Sequence, residues 1–286
     1  MADLPQASQP ADERLRALDI WTGVPRIEPC GGGRTNQNFR VEDGGRAYFA
    51  RVGVDLPHHF LQRTNEARAY RLAAEAGVAP RLIHAGNGIL ITDFIDGRTL
   101  RHDEPTSDAD LLLIADALKR IHATPIPPEL NAFDPAAICR GYLDGLPPSA
   151  MDVGKRQRLL DALDRAPALR ASSLIHADLI AENVIVTLEH RGGERAYIID
   201  WEYAGRGDPA VDLAQVIVLF ELDARQATLL VDRHGGAGMA TIQALRPVLA
   251  AREVLWCESQ AHHVGVKGDL ADYRALCWSL FDRATA

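Results

Sequence analysis

In the second half of the chain, LIHADLIAENVIV holds His176, Asp178 and Asn183, and AYIID, a little further on, ends in Asp200. Two carboxylates and an amide oxygen are hard donors that suit Mg²⁺ better than zinc, and magnesium keeps coordination places for phosphates. Local geometry predicts that they meet. VIVTL and AYIID flank HRGGER, so they form an antiparallel hairpin centred near Gly192 and Gly193, which sets Asp200 opposite roughly Ile185. At about 3.3 Å of rise per residue, Asn183 and Asp200 emerge at the same end of that hairpin. Asp178 lies in the loop that leads into this end. A carboxylate near its ordinary pKa of about 3.9 is ionised at neutral pH, so it can orient a hydroxyl and take its proton. Asp178 is assigned that role, Asn183 and Asp200 are assigned to the metal, and His176 reads as scaffold. The alternative is that His176 and Asp178 do no more than cap and hydrogen-bond a loop.

The elements that must position these residues follow from periodicity and turn chemistry. After a frayed tail, residues 11–21 read as a helix, and RIEPC, NFRVED and RAYFARV read as a three-strand meander turned at Asp43-Gly44-Gly45. Gln62 to Ala76 reads as a helix closed by Gly77, with Pro80 beyond, and ILITDFIDG reads as one more strand. The Gly-containing connection after it is the candidate domain boundary. Helical patterns then dominate, over 108–122, 155–163, 210–222, 223–234, 242–263 and 270–283, broken only by SLIH, VIVTL and AYIID as short strands. Between the first two strands, Gly31 to Asn36 can bring backbone close to phosphates. It is neither a P-loop, lacking GK[ST], nor a dinucleotide fingerprint, lacking a following helix, and a Gly-rich hairpin can also be only a turn.

HxDxxxxN followed by a strand ending in Asp resembles the catalytic loop and metal-binding Asp of the protein-kinase-like phosphotransferases. Asp200-Trp201-Glu202-Tyr203-Ala204-Gly205, then Gly207-Asp208-Pro209 and Asp212, looks like the choline/ethanolamine kinase and aminoglycoside phosphotransferase family, and within it the bacterial choline kinases. The likeness runs motif by motif over roughly residues 27 to 220. It implies an α+β, two-lobed protein-kinase-like fold: a small β-rich ATP-binding lobe over residues 1–95, its first ten a flexible tail, and a larger, mainly helical catalytic and acceptor lobe over 96–286. It also implies that Gly32, Gly33, Arg34, Thr35 and Asn36 cover the ATP phosphates. Arg51 takes the place where kinases carry a phosphate-pairing Lys, and Glu66 on the next helix holds it; a plain alternative makes Arg51 a surface charge. Backbone groups of Asp93 to Ile95 are expected to bond adenine. Trp201, Glu202, Tyr203 and Trp256 are expected around the acceptor, where aromatic faces and a carboxylate stabilise a quaternary ammonium that cannot donate a hydrogen bond. The competing reading makes the aromatics core. Ala177 departs from the Asn or Gly usual between His and Asp in these relatives.

Bulk properties narrow the partners. Of 286 residues 47% are hydrophobic, enough for a sizeable core, and a net charge of −8 argues against a nucleic-acid footprint. Four separated cysteines suggest reduced thiols, the amino terminus lacks a signal-peptide pattern, and the longest apolar stretch is too short for a bilayer, so a cytoplasmic location without membrane association is expected. The adjacent pairs His58-His59 and His262-His263 make poor chelates. The expected function is transfer of the ATP γ-phosphate, with Mg²⁺, to a hydroxyl of choline or a related amino alcohol, a cationic small-molecule substrate. Thiamine, an aminoglycoside or a sugar is the alternative acceptor, and a catalytically inactive nucleotide-binding module is the alternative from another class. A protein kinase is disfavoured because no APE-like anchor follows Asp200.

Overall fold

The structure is a computed structural model and describes residues 9–31, 36–189, 193–236 and 238–286. The amino-terminal part is a five-stranded antiparallel sheet in the order β1-β2-β3-β5-β4, built from β1 (Arg26–Cys30), β2 (Gln37–Asp43), β3 (Arg46–Val52), β4 (Leu82–Gly86) and β5 (Ile89–Asp93). Gly44 and Gly45, at φ 56° and 75°, make the two-residue turn from Asp43 to Arg46, as the hairpin chemistry requires. The segment read as one strand contains β5, and β4, upstream of it and not foreseen, pairs with β5 as a hairpin. β4 escaped the sequence because its residues are all half-buried and show no alternation, and a register shift lies between Leu82 and His84.

Strand alternation assigns the two faces of this sheet. Phe39, Val41, Ala50, Val52, Ile89 and Ile91 bury one face beneath α1 (Ala11–Arg16). Arg51, between Ala50 and Val52, points to the other face, where α2 (Arg63–Glu75) packs. Ala69, Tyr70 and Ala73 of α2 belong to a core cluster that continues into the helical part of the chain.

That part contains α3 (Asp108–His122), α4 (Pro135–Gly145), α5 (Val153–Asp164), α6 (Pro209–Leu219), α7 (Ala224–His234), α8 (Met239–His263) and α9 (Leu270–Thr285). Asp208 caps α6 by accepting from the Ala210 amide, with Pro209 at the first helical position, which gives Asp208-Pro209 its local meaning. The same signature, Asp134 then Pro135, starts α4, an element the sequence reading passed over. α8 shows little amphipathic bias because it packs against α4, α5 and α6 as well as α9.

A second sheet, β6-β8-β9, joins the two parts: β6 (Arg98–Thr99) pairs with β8 (Val184–Glu189), which pairs with β9 (Gly193–Ile198). A Cβ on Gly97 would sit 2.7 Å from the Val186 carbonyl, so this approach of the strand after β5 to β8 requires glycine. The β8–β9 register is a correction of three residues: Ile185 faces Tyr197, not Asp200, because Gly193 enters the strand opposite Glu189 instead of forming the turn. Among the described residues, no helix is long and apolar enough to cross a membrane.

Candidate active site

The loop between β7 (Ser173–Ile175) and β8 carries Asp178 and is fixed from three directions. Asp212 of α6 accepts from the backbone amides of His176 and Ala177, both at 2.8 Å. Gln215, one turn further along, donates to the Ala177 carbonyl at 2.9 Å and accepts from the Leu179 amide at 3.1 Å. These bonds hold Ala177 at φ 65°, a left-handed conformation that an alanine does not choose unaided. His176 is fully buried; its Nδ1 accepts from the Asp178 amide, so its Nε2 donates to the Ile199 carbonyl. Its role is the scaffold role expected of it.

Despite the corrected register, Asn183 and Asp200 share one end of the hairpin. The Ile199 amide donates to the Asn183 carbonyl at 2.9 Å, placing Asp200 one residue beyond that rung. Asn183 donates its amide hydrogen to the Asp178 carbonyl at 2.9 Å, which leaves its side-chain oxygen as the group on offer. Asp200 stands at φ 64°, with about 35% of its side chain open, yet its Oδ1 is enclosed and has no hydrogen-bond partner among the described residues. Burial first, then the charge of Glu202, pushes this carboxyl well above the usual carboxylate range. An orphaned, desolvated carboxylate oxygen beside an oriented amide oxygen fits a divalent cation of Mg²⁺ type. No cluster of three or more His, Cys, Asp or Glu with metal-holding geometry occurs among the described residues.

Arg51 and Glu66 form a buried bidentate ion pair between β3 and α2, and Arg51 Nη1 reaches to 3.8 Å from Asp200 Oδ1. Arg63, which the sequence reading did not single out, completes a network. Its Nη1 donates to Glu66 at 3.0 Å and to Glu202 at 2.9 Å, and its Nη2 donates to Asn36 Oδ1 at 2.7 Å. Asn36 in turn donates to Glu202 at 2.9 Å. Burial raises the Glu202 carboxyl, but Arg63, the Asn36 bond and Arg51 outweigh it and hold the group below its ordinary value. Glu66→Gln leaves two buried guanidiniums sharing a neutral amide. Breaking a buried pair in this way costs about 3–5 kcal/mol, and urea unfolding should show a loss of that order. Gly32, Gly33, Arg34 and Thr35 lie outside the described residues. Asp93 ends β5 with its carboxylate clamped by Arg81 and its amide bonded to the Arg81 carbonyl, and Ile95 follows, half-buried, where the chain turns toward β6.

The four residues expected to form an acceptor cage are each otherwise engaged. Trp201 is fully buried, its indole N–H bonded to the Ile198 carbonyl and its ring edge-on to His176, which makes it core. Glu202 is committed to Arg63. Tyr203 accepts from the Trp256 indole at 2.8 Å, and its ring face is covered by the Arg252 guanidinium, 4.6 Å from the ring centre. Trp256 stacks on His59 at 4.9 Å. Trp201 is thus excluded from an acceptor cage, whereas Arg252 covers one face of Tyr203 and His59 covers one face of Trp256. A cavity of about 490 Å³ opens beside Glu202 and Tyr203, bordered by Phe60, Asn65, Asn131 and Phe133. A larger open depression at the outer β2–β3 turn is remote from these groups.

His59 is buried neutral between Gln260, at 2.7 Å, and the Tyr142 hydroxyl, at 3.2 Å, and burial pushes it down to about 4. With a folded value below the ordinary 6.5, its contribution is present above pH 6.5 and is lost as pH falls toward 4. At 1.36 kcal/mol per unit this amounts to at most about 3 kcal/mol. Thermal melts across pH 7 to 4 should show the decline, and His59→Phe, which keeps a ring against Trp256, should lessen it, leaving the part due to His234, which burial also pushes down to about 4.

Two relatives and one solved structure place the chain. It is 25% identical over 217 residues to Protein LicA of Haemophilus influenzae, covering 71% of this chain and 61% of LicA, so it spans less than two thirds of that relative. It is 27% identical over 203 residues to viomycin phosphotransferase of Streptomyces vinaceus, covering 65% and 69%. A choline/ethanolamine kinase family protein from Mesorhizobium loti superposes with a TM-score of 0.70 at 26% identity, over 96% of each chain. This likeness carries the expected fold, an antiparallel sheet region followed by a helical region of protein-kinase-like type. Residues 26–248 match the APH phosphotransferase model, and the chain belongs to the phosphotransferase enzyme family.

Proposed function

We propose that the protein transfers the γ-phosphate of ATP to the hydroxyl of an amino alcohol, choline or a related compound. The observation that carries this reading is the joint placement of Asp178, Asn183 and Asp200 at one hairpin end, facing the Arg51–Glu66 pair. The division assumed is residues 1–95 against 96–286, with the nucleotide between them, its adenine on the Asp93–Ile95 backbone and its phosphates near Arg51 and the Gly32–Asn36 segment. Mg²⁺, held by Asn183 and Asp200 with the phosphates, would neutralise charge on the transferred group. Asp178 orients the acceptor hydroxyl and takes its proton as the new O–P bond forms and the bond to the β–γ bridging oxygen breaks, ADP leaving with the electron pair. Asp212, Gln215 and His176 keep Asp178 in place.

A product assay with Mg²⁺-ATP across ethanolamine, choline, thiamine, kanamycin and glucose decides the acceptor: phosphorylation of ethanolamine or choline supports the proposal, and kanamycin, thiamine or glucose alone moves it to the alternative acceptors. Nucleotide binding with no transfer to any acceptor, in a panel extended beyond these five, would indicate the inactive module.

A further inference from the structure

The mechanism above makes no use of Arg252. It lies in the middle of α8, in the run VLAAREVLWC, and is 2% exposed. An arginine with that burial is expected only where its charge is paired. Its Nη1 donates to Asp178 Oδ1 at 3.2 Å and to Glu253 Oε1 at 3.0 Å, while its Nε has no hydrogen-bond partner among the described residues. The guanidinium carbon lies 4.6 Å from the centre of the Tyr203 ring and 5.7 Å from that of Phe133. Glu253 is itself held by the Tyr273 hydroxyl at 2.9 Å. A planar cation is thus fixed by a helix neighbour and two ring faces, and one of its hydrogen bonds is spent on the residue assigned as base.

We infer that Arg252 is a positioning residue that holds the Oδ1 of Asp178 and so turns the second carboxylate oxygen toward the acceptor hydroxyl. The inference rests on the role of Asp178 proposed above. Two features set it apart from simple neutralisation of buried charge. Glu253 alone would neutralise Arg252, yet the guanidinium spans both carboxylates. The Asp178 backbone is already fixed by Asn183 and His176, so the carboxylate torsion is what remains for Arg252 to set.

The test compares Arg252→Met, Arg252→Lys and Arg252→Ala with the parent protein, using the fastest of the five acceptors above, or water through basal ATP hydrolysis if none reacts. Rates are taken per folded molecule, as judged by circular dichroism. Arg252→Met is expected to lower kcat roughly 30- to 100-fold, within the range for losing alignment of a catalytic group, with KM for ATP within about twofold. Arg252→Lys should retain more turnover than Arg252→Met, and added guanidinium at low millimolar concentration should restore part of the Arg252→Ala rate. Crystal structures should show the Asp178 carboxylate turned in Arg252→Met and unmoved in Arg252→Lys. A folded Arg252→Met with near-normal kcat and an unmoved Asp178 overturns the inference. Asp178→Asn separates the two ideas. An inactive Asp178→Asn beside a normal Arg252→Met removes only the role of Arg252, whereas a normal Asp178→Asn removes the role of Asp178 itself.

Discussion

Asp178→Asn should lower turnover by about three orders of magnitude while leaving the dissociation constant for Mg²⁺-nucleotide within about twofold. A general base positioned against a hydroxyl contributes typically 10² to 10⁴ in rate, and the amide of asparagine can still donate and accept but cannot take the proton. The substitution is suited to the question because little else depends on the carboxylate. The Asp178 amide is bonded to His176 and its carbonyl to Asn183, so both backbone ties survive the change. Among the described residues, the bond from Arg252 is the one that meets the altered group. Single-turnover transfer of labelled phosphate, with nucleotide affinity measured separately, gives the two numbers. Near-normal transfer to the acceptor that the parent protein uses would mean that the hydroxyl loses its proton elsewhere.

The second large effect is expected at Asp200, with opposite signs for activity and stability. In the cation-free protein its enclosed oxygen has no hydrogen-bond partner among the described residues, and burial and Glu202 outweigh Arg51 and hold the carboxyl well above the ordinary value. A raised folded value means that this group favours the folded state at low pH and loses that contribution as pH rises through the folded value. At neutral pH the charged form is a cost that Arg51 offsets only in part and that a bound cation would relieve further. Asp200→Asn removes the charge while keeping the shape, and asparagine tolerates the φ of 64° that alanine would strain. The variant should therefore melt no lower than the parent protein without Mg²⁺, and higher if burial of the charge is the dominant cost. Mg²⁺ with ADP at roughly a hundred times its dissociation constant should add about 2.7 kcal/mol to the parent, a rise of roughly 5–10 °C for a chain of this size. That increment should be small in Asp200→Asn, and transfer should be lost. Scans with and without Mg²⁺, with and without ADP, isolate the metal contribution. An increment equal to that of the parent would place the ion on other residues.

Asp200 and Glu202 sit two residues apart on one turn yet titrate in opposite directions. Glu202 is buried, and Asp200 has one enclosed oxygen on a side chain that is otherwise about 35% open. Glu202 accepts from Arg63 and Asn36, whereas Asp200 has only the more distant Arg51 at 3.8 Å. The difference leaves Glu202 a structural anion and Asp200 a group in need of a counter-ion, a division of labour that composition alone does not show.

Local rules made much of the molecule legible in the sequence. The meander turned at Gly44-Gly45, the helices started by Ser107 and Asp223, and the hairpin end that gathers Asp178, Asn183 and Asp200 all depend on neighbours within a few positions, where turn and cap chemistry decide. Asn183 and Asp200 stayed together even though the register was misjudged, because any antiparallel hairpin brings those two ends side by side. Other features were set only by tertiary packing. Arg63 and Arg252 are ordinary arginines in sequence; burial beside Glu202 and Asp178 sets them next to the candidate site, and the one local hint was the adjacent charged pair Arg252-Glu253 inside an apolar run of α8. The acceptor side is the clearest case, since alternation along Trp201-Glu202-Tyr203 cannot say whether a ring faces a ligand or the interior. That depended on which long-range partners pack against them: His176 for Trp201, Arg63 for Glu202, Arg252 for Tyr203 and His59 for Trp256. Short-range backbone chemistry therefore determined where the phosphate-transfer groups meet, and the packing of distant helices decided what those groups can touch.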